Sequence, residues 1–91
     1  MTVNPSLEVI KFLGDYKGEA FDIVLADPPF TQMMSDDVMK AASLSEVCVK
    51  GGLFVIESQA KEVILDEYGD FKLLDRKNFG DKKVSFYRKN N

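Results

Sequence analysis

Phe21-Asp22-Ile23-Val24-Leu25-Ala26-Asp27-Pro28-Pro29-Phe30 is the stretch whose reading decides the fold. Its first six residues are a compact, largely apolar run with β-branched members, which predicts a strand buried on both faces, as in parallel sheets. The run then meets two prolines. Neither can donate to a sheet ladder, and Pro28 disfavours a helical backbone at Asp27. The strand therefore stops in a stiff loop that presents a carboxylate and an aromatic ring.

Downstream, Ser35-Asp36-Asp37 suits the start of a helix, because acids there complement the N-terminal dipole. Val38, Met39, Ala42 and Val47 mark its apolar face, and Lys50-Gly51-Gly52 ends the helical region. Leu53 to Ser58 reads as a second buried strand, followed by a short helix around Ala60 to Glu67. Phe71 to Lys77 and Lys82 to Arg88 are two further strands. The turn-rich Asn78-Phe79-Gly80-Asp81 link between them predicts an antiparallel hairpin. Upstream, Leu7, Val9, Ile10, Phe12 and Leu13 predict a helix from about Ser6 to Gly14, and Asp15 to Ala20 is a connector. The order is that of an α/β fold with a parallel core and an antiparallel edge.

At 91 residues, 45% of them hydrophobic, the chain is one small domain or part of a larger one. Cys48 is the only cysteine and there is no histidine. That excludes an internal disulfide, a Cys/His zinc cluster and a histidine-based triad, and a cytoplasmic setting is expected. Met1 to Pro5 lacks the pattern of a secretory signal. No apolar run approaches the roughly 20 residues that span a bilayer. The net charge is −3, but residues 70–91 carry seven bases against three acids, leaving −7 on the first 69. Such asymmetry marks either a nucleic-acid face or a solvated hairpin whose lysines protect a sheet edge.

The chemistry follows from where Asp27 sits. In open α/β sheets, ligands bind beyond the carboxyl ends of the strands. An exocyclic base amine is a poor nucleophile because its lone pair is delocalised into the ring. Acceptors at its two N–H bonds, here the Asp27 carboxylate and the Pro28 carbonyl, favour the pyramidal amine that can attack a methyl group. Phe30 can stack on the base, Pro29 stiffens the loop, and orientation supplies much of the rate. A base within a helix would first have to leave its stack.

The run from Phe21 to Phe30 resembles the fourth motif of class I amino-methyltransferases. The closest likeness is to the bacterial small-subunit ribosomal RNA guanine exocyclic-amine methyltransferase family. Gly51 to Ser58 looks like that family's next strand, and Phe79-Gly80-Asp81 with Val84 to Tyr87 looks like its final hairpin. The tetrapeptide alone is also similar to that of adenine amino-methyltransferases acting on DNA; the downstream pieces tilt toward the RNA family. The resemblance implies a partial Rossmann-like sheet in which this chain supplies the last four strands of seven. It implies S-adenosyl-L-methionine as cofactor, and base contacts from Asp27, Pro28 and Phe30. Glu8-Val9 is the nearest equivalent of the family's Asp-Ala pair near the cofactor adenine. The glycine-rich first motif has no counterpart: the six glycines form no strand-to-helix fingerprint.

Other residues weigh differently. Lys82 and Lys83 are candidate phosphate contacts, with solvated lysines as the plainer reading. Glu57 could face the same cleft or lie at the surface. Phe79 and Tyr87 could stack on RNA, although hairpin packing explains both. Met33, Met34 and Cys48 read as packing residues. The expected function is methylation of a base amine, most simply guanine in ribosomal RNA or a pre-ribosomal particle, by a truncated or split enzyme. A remnant that kept the fold and lost the chemistry is the rival. The strand from Phe21 to Ala26 would then lack a neighbour, which favours a homo-oligomer or a complementary N-terminal half.

Overall fold

The computed structural model describes residues 2–3, 20–26 and 35–90. The helix expected from Ser6, the Asp27–Phe30 loop, Glu8, Val9, Met33 and Met34 lie outside them. The described elements are β1 (Thr2–Val3), β2 (Phe21–Ala26), α1 (Ser35–Ser43), β3 (Cys48–Gln59), β4 (Glu67–Tyr68), β5 (Phe71–Phe79) and β6 (Lys82–Lys89). The strands form one six-stranded sheet in the order β1-β2-β3-β6-β5-β4. β1, β2 and β3 run parallel, while β6, β5 and β4 join by antiparallel pairing. The parallel core, the antiparallel edge and the partial Rossmann-like sheet therefore stand. Two short strands, Thr2–Val3 and Glu67–Tyr68, extend the four expected.

The core lies on one face of the sheet. Val38, Met39, Ala41 and Ala42 of α1 cluster with Val24 and Ala26 of β2, Phe54 and Ile56 of β3, Phe71 of β5 and Tyr87 of β6. The rings of Phe54 and Phe71 meet edge to face at 5.5 Å, a geometry that adds to simple burial. Strand alternation puts Ile23 and Leu25 on the opposite face, where they are 51% and 44% exposed. The expectation that β2 is buried on both faces is thus corrected. Its second face carries apolar side chains that no described helix covers.

Two further expectations change. α1 ends at Ser43, well before Lys50. The Ser43 hydroxyl donates to the Lys40 carbonyl at 2.7 Å and that of Ser45 to the Ala42 carbonyl at 3.0 Å, closing the helix early. Lys50-Gly51-Gly52 then lies inside β3 as a bulge. Phe21 pairs with Cys48 and Ile23 with Leu53, so β3 advances five residues while β2 advances two. The bulge requires Gly52: a Cβ there would lie 2.6 Å from Cys48 Sγ, 2.8 Å from the Val49 carbonyl oxygen and 3.0 Å from that of Asp22. Two of those atoms are backbone and cannot step aside. Gly52→Ala is expected to cost about 1–3 kcal/mol as an overpacking change. A urea midpoint equal to wild type would refute that reading of the bulge.

The helix expected around Ala60 to Glu67 does not form; residues 60–66 are turn and irregular backbone. Its carbonyls are taken by cations from the hairpin. Lys83 Nζ donates to the carbonyls of Ala60 and Glu62. Arg76 donates to those of Ile64 and Leu65 at 3.5 and 3.4 Å. These long-range bonds hold the segment on a non-helical path, and tertiary contacts override local propensity. The β5–β6 connection is tighter than expected, because Phe79 and Lys82 still pair and only Gly80-Asp81 turns. Gly80 has φ +63° and no non-glycine residue among those described has positive φ, the pattern of a type II′ hairpin.

Candidate functional site

The carboxyl ends of β2 and β3 lie side by side, since Ala26 is in register with Ile56. β6 is antiparallel, so its first residue, Lys82, pairs with Gln59 at the same end of the sheet. The hairpin turn is joined there by a 2.7 Å bond from the Ala60 N–H to the Asp81 carbonyl. Gln59, Ala60, Lys61 and Asp81 line an open cavity of about 400 Å³. It offers no aromatic ring for stacking and borders the strand ends as a rim. Asp27 follows directly after Ala26. The loop with the motif thus leaves β2 at this end, which is where open α/β sheets bind ligands.

Both borders of that loop are attached to β3. Ala26 pairs with Ile56, and the Ser35 hydroxyl donates to the Glu57 carbonyl at 3.4 Å. Ser35 is fully buried at the first turn of α1. Its N–H donates to Glu62 Oε1 at 3.2 Å and its hydroxyl to Oε2 at 3.4 Å; the Gln59 N–H reaches the same Oε2 at 2.6 Å. Glu62 therefore fills the N-terminus of α1, where its negative charge is favoured by the helix dipole. Sequence reasoning missed Glu62. No local signal marks it, because its partner Ser35 lies 27 residues away. Ser58, one residue from Glu57, is buried with a hydroxyl that has no partner among the described residues.

A second network braces the 60–68 segment against the sheet. The Tyr68 hydroxyl donates to Asp36 Oδ1 at 2.5 Å and accepts from the Leu65 N–H at 2.7 Å. The Tyr87 hydroxyl donates to the Leu65 carbonyl at 2.5 Å and accepts from Arg76. Burial pushes the Tyr68 phenol up, and its bond to Asp36 pushes it further. Burial likewise raises Tyr87, against the lowering effect of Arg76. For Asp36, burial acts upward but is outweighed by the Tyr68 hydroxyl and Lys40, so the carboxyl lies below its ordinary value.

These shifts set a pH window. A carboxylate with a depressed folded pKa contributes fully above its unfolded value, about 4, and loses that contribution as pH falls through the folded one. The raised phenols contribute below about pH 10 and lose their contribution as pH rises through their folded values. Urea midpoints are expected to drop on both sides of that range. Asp36→Asn should flatten the acid limb; an unchanged slope below pH 4 would show that other groups cause it.

The lysines singled out from the sequence are engaged within the chain. Lys82 pairs with Glu57 at 3.1 Å, and Lys83 serves the 60–62 carbonyls. Arg76 and Lys89 are also bonded internally, Lys89 to the Cys48 carbonyl at 3.0 Å. Lys72, Lys77 and Arg88 are exposed. Tyr87 is fully buried, whereas Phe79 is 58% exposed. Cys48 is buried and its thiol is raised by that burial. Among the described residues no group of three His, Cys, Asp or Glu side chains could hold a metal, and no helix is long and apolar enough to cross a membrane.

These residues do not build a cradle for S-adenosyl-L-methionine. Gly51 and Gly52 form a bulge whose Gly52 Cβ position is blocked by protein atoms, and Gly80 forms a hairpin turn. None opens a strand-to-helix loop of the kind that holds such a cofactor. Glu8 and Val9, the expected adenine contacts, are outside the described residues.

Comparison with known proteins places this arrangement. The profile of the family described as conserved hypothetical protein 95 matches residues 6–88. The chain belongs to that family. A conserved hypothetical protein of Streptococcus pyogenes shares the fold with a TM-score of 0.72 at 21% identity, over 89% of this chain and 49% of that one. A provisionally named methylase of Haemophilus influenzae gives 0.76 at 19%, over 90% and 51%. The ribosomal RNA methyltransferase aviRa of Streptomyces viridochromogenes gives 0.55 at 15%, over 78% and 30%. No curated protein sequence matches. This family member thus has a methyltransferase-like fold and spans about half the length of the first two structures it matches.

Proposed function

We propose that this chain is the target-base half of an S-adenosyl-L-methionine-dependent enzyme that methylates an exocyclic base amine, with guanine in ribosomal RNA as the substrate. The observation that carries the reading is that Ala26, which Asp27-Pro28-Pro29-Phe30 follows directly in sequence, ends β2 at the carboxyl edge of a methyltransferase-like sheet. Ala26 and Ser35, which flank residues 27–34, are both fastened to β3. The Asp27 carboxylate and the Pro28 carbonyl accept from the amine, Pro29 stiffens the loop and Phe30 stacks on the base. The methyl donor is held by residues other than those described, on a complementary N-terminal half.

The test is reconstitution. The chain is combined with the N-terminal half of a family member, and methyl transfer to unmodified ribosomal RNA or pre-ribosomal particles is followed with a labelled donor. Label on a guanine exocyclic amine is expected. Label on adenine in DNA alone would replace the substrate, and no label from a folded complex would remove the enzyme.

A second reading is favoured by the exposed Ile23 and Leu25. Here the chain is a non-catalytic module that buries this face against a second copy; β2, expected to lack a neighbour, is instead paired with β1 at Leu25 and Ala26. Light scattering separates the two, since a homodimer that excludes the N-terminal half supports the module and a one-to-one complex supports the enzyme.

A further inference from the structure

Residues 27–34, which carry the motif, lie in sequence between Ala26 at the end of β2 and Ser35 at the start of α1. These two borders meet consecutive residues of β3: Ala26 pairs with Ile56, and Ser35 bonds the Glu57 carbonyl. The first border is held by sheet pairing. The second is held chiefly by one carboxylate, which takes the Ser35 N–H and shares the Ser35 hydroxyl proton with the Glu57 carbonyl.

Glu62, only 5% exposed, takes three protein donors: the Ser35 N–H, the Ser35 hydroxyl and the Gln59 N–H. Burying a carboxylate is costly unless such donors satisfy it, and the dipole of α1 adds to them. Glu62 is itself fixed from behind. Its N–H donates to the Gln59 carbonyl at 3.0 Å, and its carbonyl accepts from Lys83 Nζ on β6. A continuous line of bonds thus leads from the hairpin, through the 60–62 turn, to the border of the loop. Elsewhere, a helix N-terminus beside a candidate site would be free to bind an anion. In this chain it is filled by the protein's own carboxylate, so its role is to hold the backbone.

We infer that Glu62 is a positioning residue for the Asp27–Phe30 loop, fixing its Ser35 border against the end of β3. The inference rests on the function proposed above, but its first readout does not depend on catalysis. Hydrogen exchange is measured on the full chain for wild type, Glu62→Gln and Glu62→Ala. The non-proline amides of residues 27–35 are expected to exchange at least about tenfold faster in Glu62→Ala, with the amides of β3 and β6 unchanged. Glu62→Gln keeps the shape and one acceptor oxygen, so it keeps the fold and gives a smaller increase.

In the reconstituted complex, both variants should lower kcat, about tenfold for alanine, and leave the KM for the methyl donor unchanged, since only the amine side is loosened. Wild-type exchange at residues 27–35 in Glu62→Gln and in any folded Glu62→Ala overturns the inference, whether or not the complex methylates. Faster exchange there with wild-type kcat also overturns it. Faster exchange with an inactive wild-type complex removes the enzyme reading and sustains the hold of Glu62 on the loop.

Discussion

Asp27→Ala is expected to lower methyl transfer by the reconstituted complex at least about 100-fold while leaving the chain folded. An amine conjugated with a purine or pyrimidine ring attacks only when its lone pair is released and aligned. One charged acceptor at one of its N–H bonds contributes to both. Loss of a single fixed group that stabilises developing charge commonly costs about 10²–10³ in kcat. Donor affinity should stay within about twofold, because Asp27 lies on the amine side in this reading. Asp27→Asn offers a finer comparison. It keeps the size and one carbonyl acceptor while losing the charge, and should fall between wild type and alanine. The assay is initial-rate methylation, with circular dichroism confirming the fold. Full activity in Asp27→Ala would end the assignment of the motif.

Tyr87→Ala carries the largest expected effect on stability. Tyr87 is fully buried and meets the ring of Tyr68 edge to face at 5.8 Å. Truncating a buried aromatic side chain to alanine costs about 3–5 kcal/mol, because the cavity collapses only in part. At roughly 0.05–0.15 kcal/mol per residue, a domain of this size has about 5–14 kcal/mol in total. The variant should therefore lose a large share of its stability, with a clearly lower urea midpoint. Tyr87→Phe separates the hydroxyl from the ring. It removes the bond to the Leu65 carbonyl, but that carbonyl still accepts from Arg76 at 3.4 Å and is not orphaned. The loss should be near 1 kcal/mol. Urea unfolding of both variants checks the pair. An alanine cost no larger than that of phenylalanine would mean that packing of this ring contributes little.

Local pattern carried further for strands than for helices. The β2 run, the Leu53–Ser58 strand and the hairpin strands were legible, because apolar and β-branched runs bounded by proline or glycine state their own beginning and end. α1 began where Ser35-Asp36-Asp37 implied, and that signal is local too. Its end was not legible, since serine hydroxyls closed it and Val47 is buried without being helical. The 60–67 segment was misread for a related reason. Its composition tolerates a helix, but Lys83 and Arg76, far along the chain, took its carbonyls.

The candidate site divides in the same way. Asp27, Pro28, Pro29 and Phe30 are proposed from order alone, because a motif is a run of neighbours. Glu62 could not be, because a buried carboxylate acquires meaning only from the donors around it. Lys82 and Lys83 read as candidate phosphate contacts or, more plainly, as solvated lysines; the fold engages them with Glu57 and with the 60–62 carbonyls.

The sequence by itself determined the α/β class, the β2 and hairpin strands, and the absence of histidine and disulfide chemistry, since each depends on residue type and near neighbours. Only the tertiary structure decided that β2 covers one face and exposes the other, that Gly52 makes room for a bulge, and that Glu62 fastens the border of the loop. Those features depend on which distant atoms meet, and chain order alone does not state that.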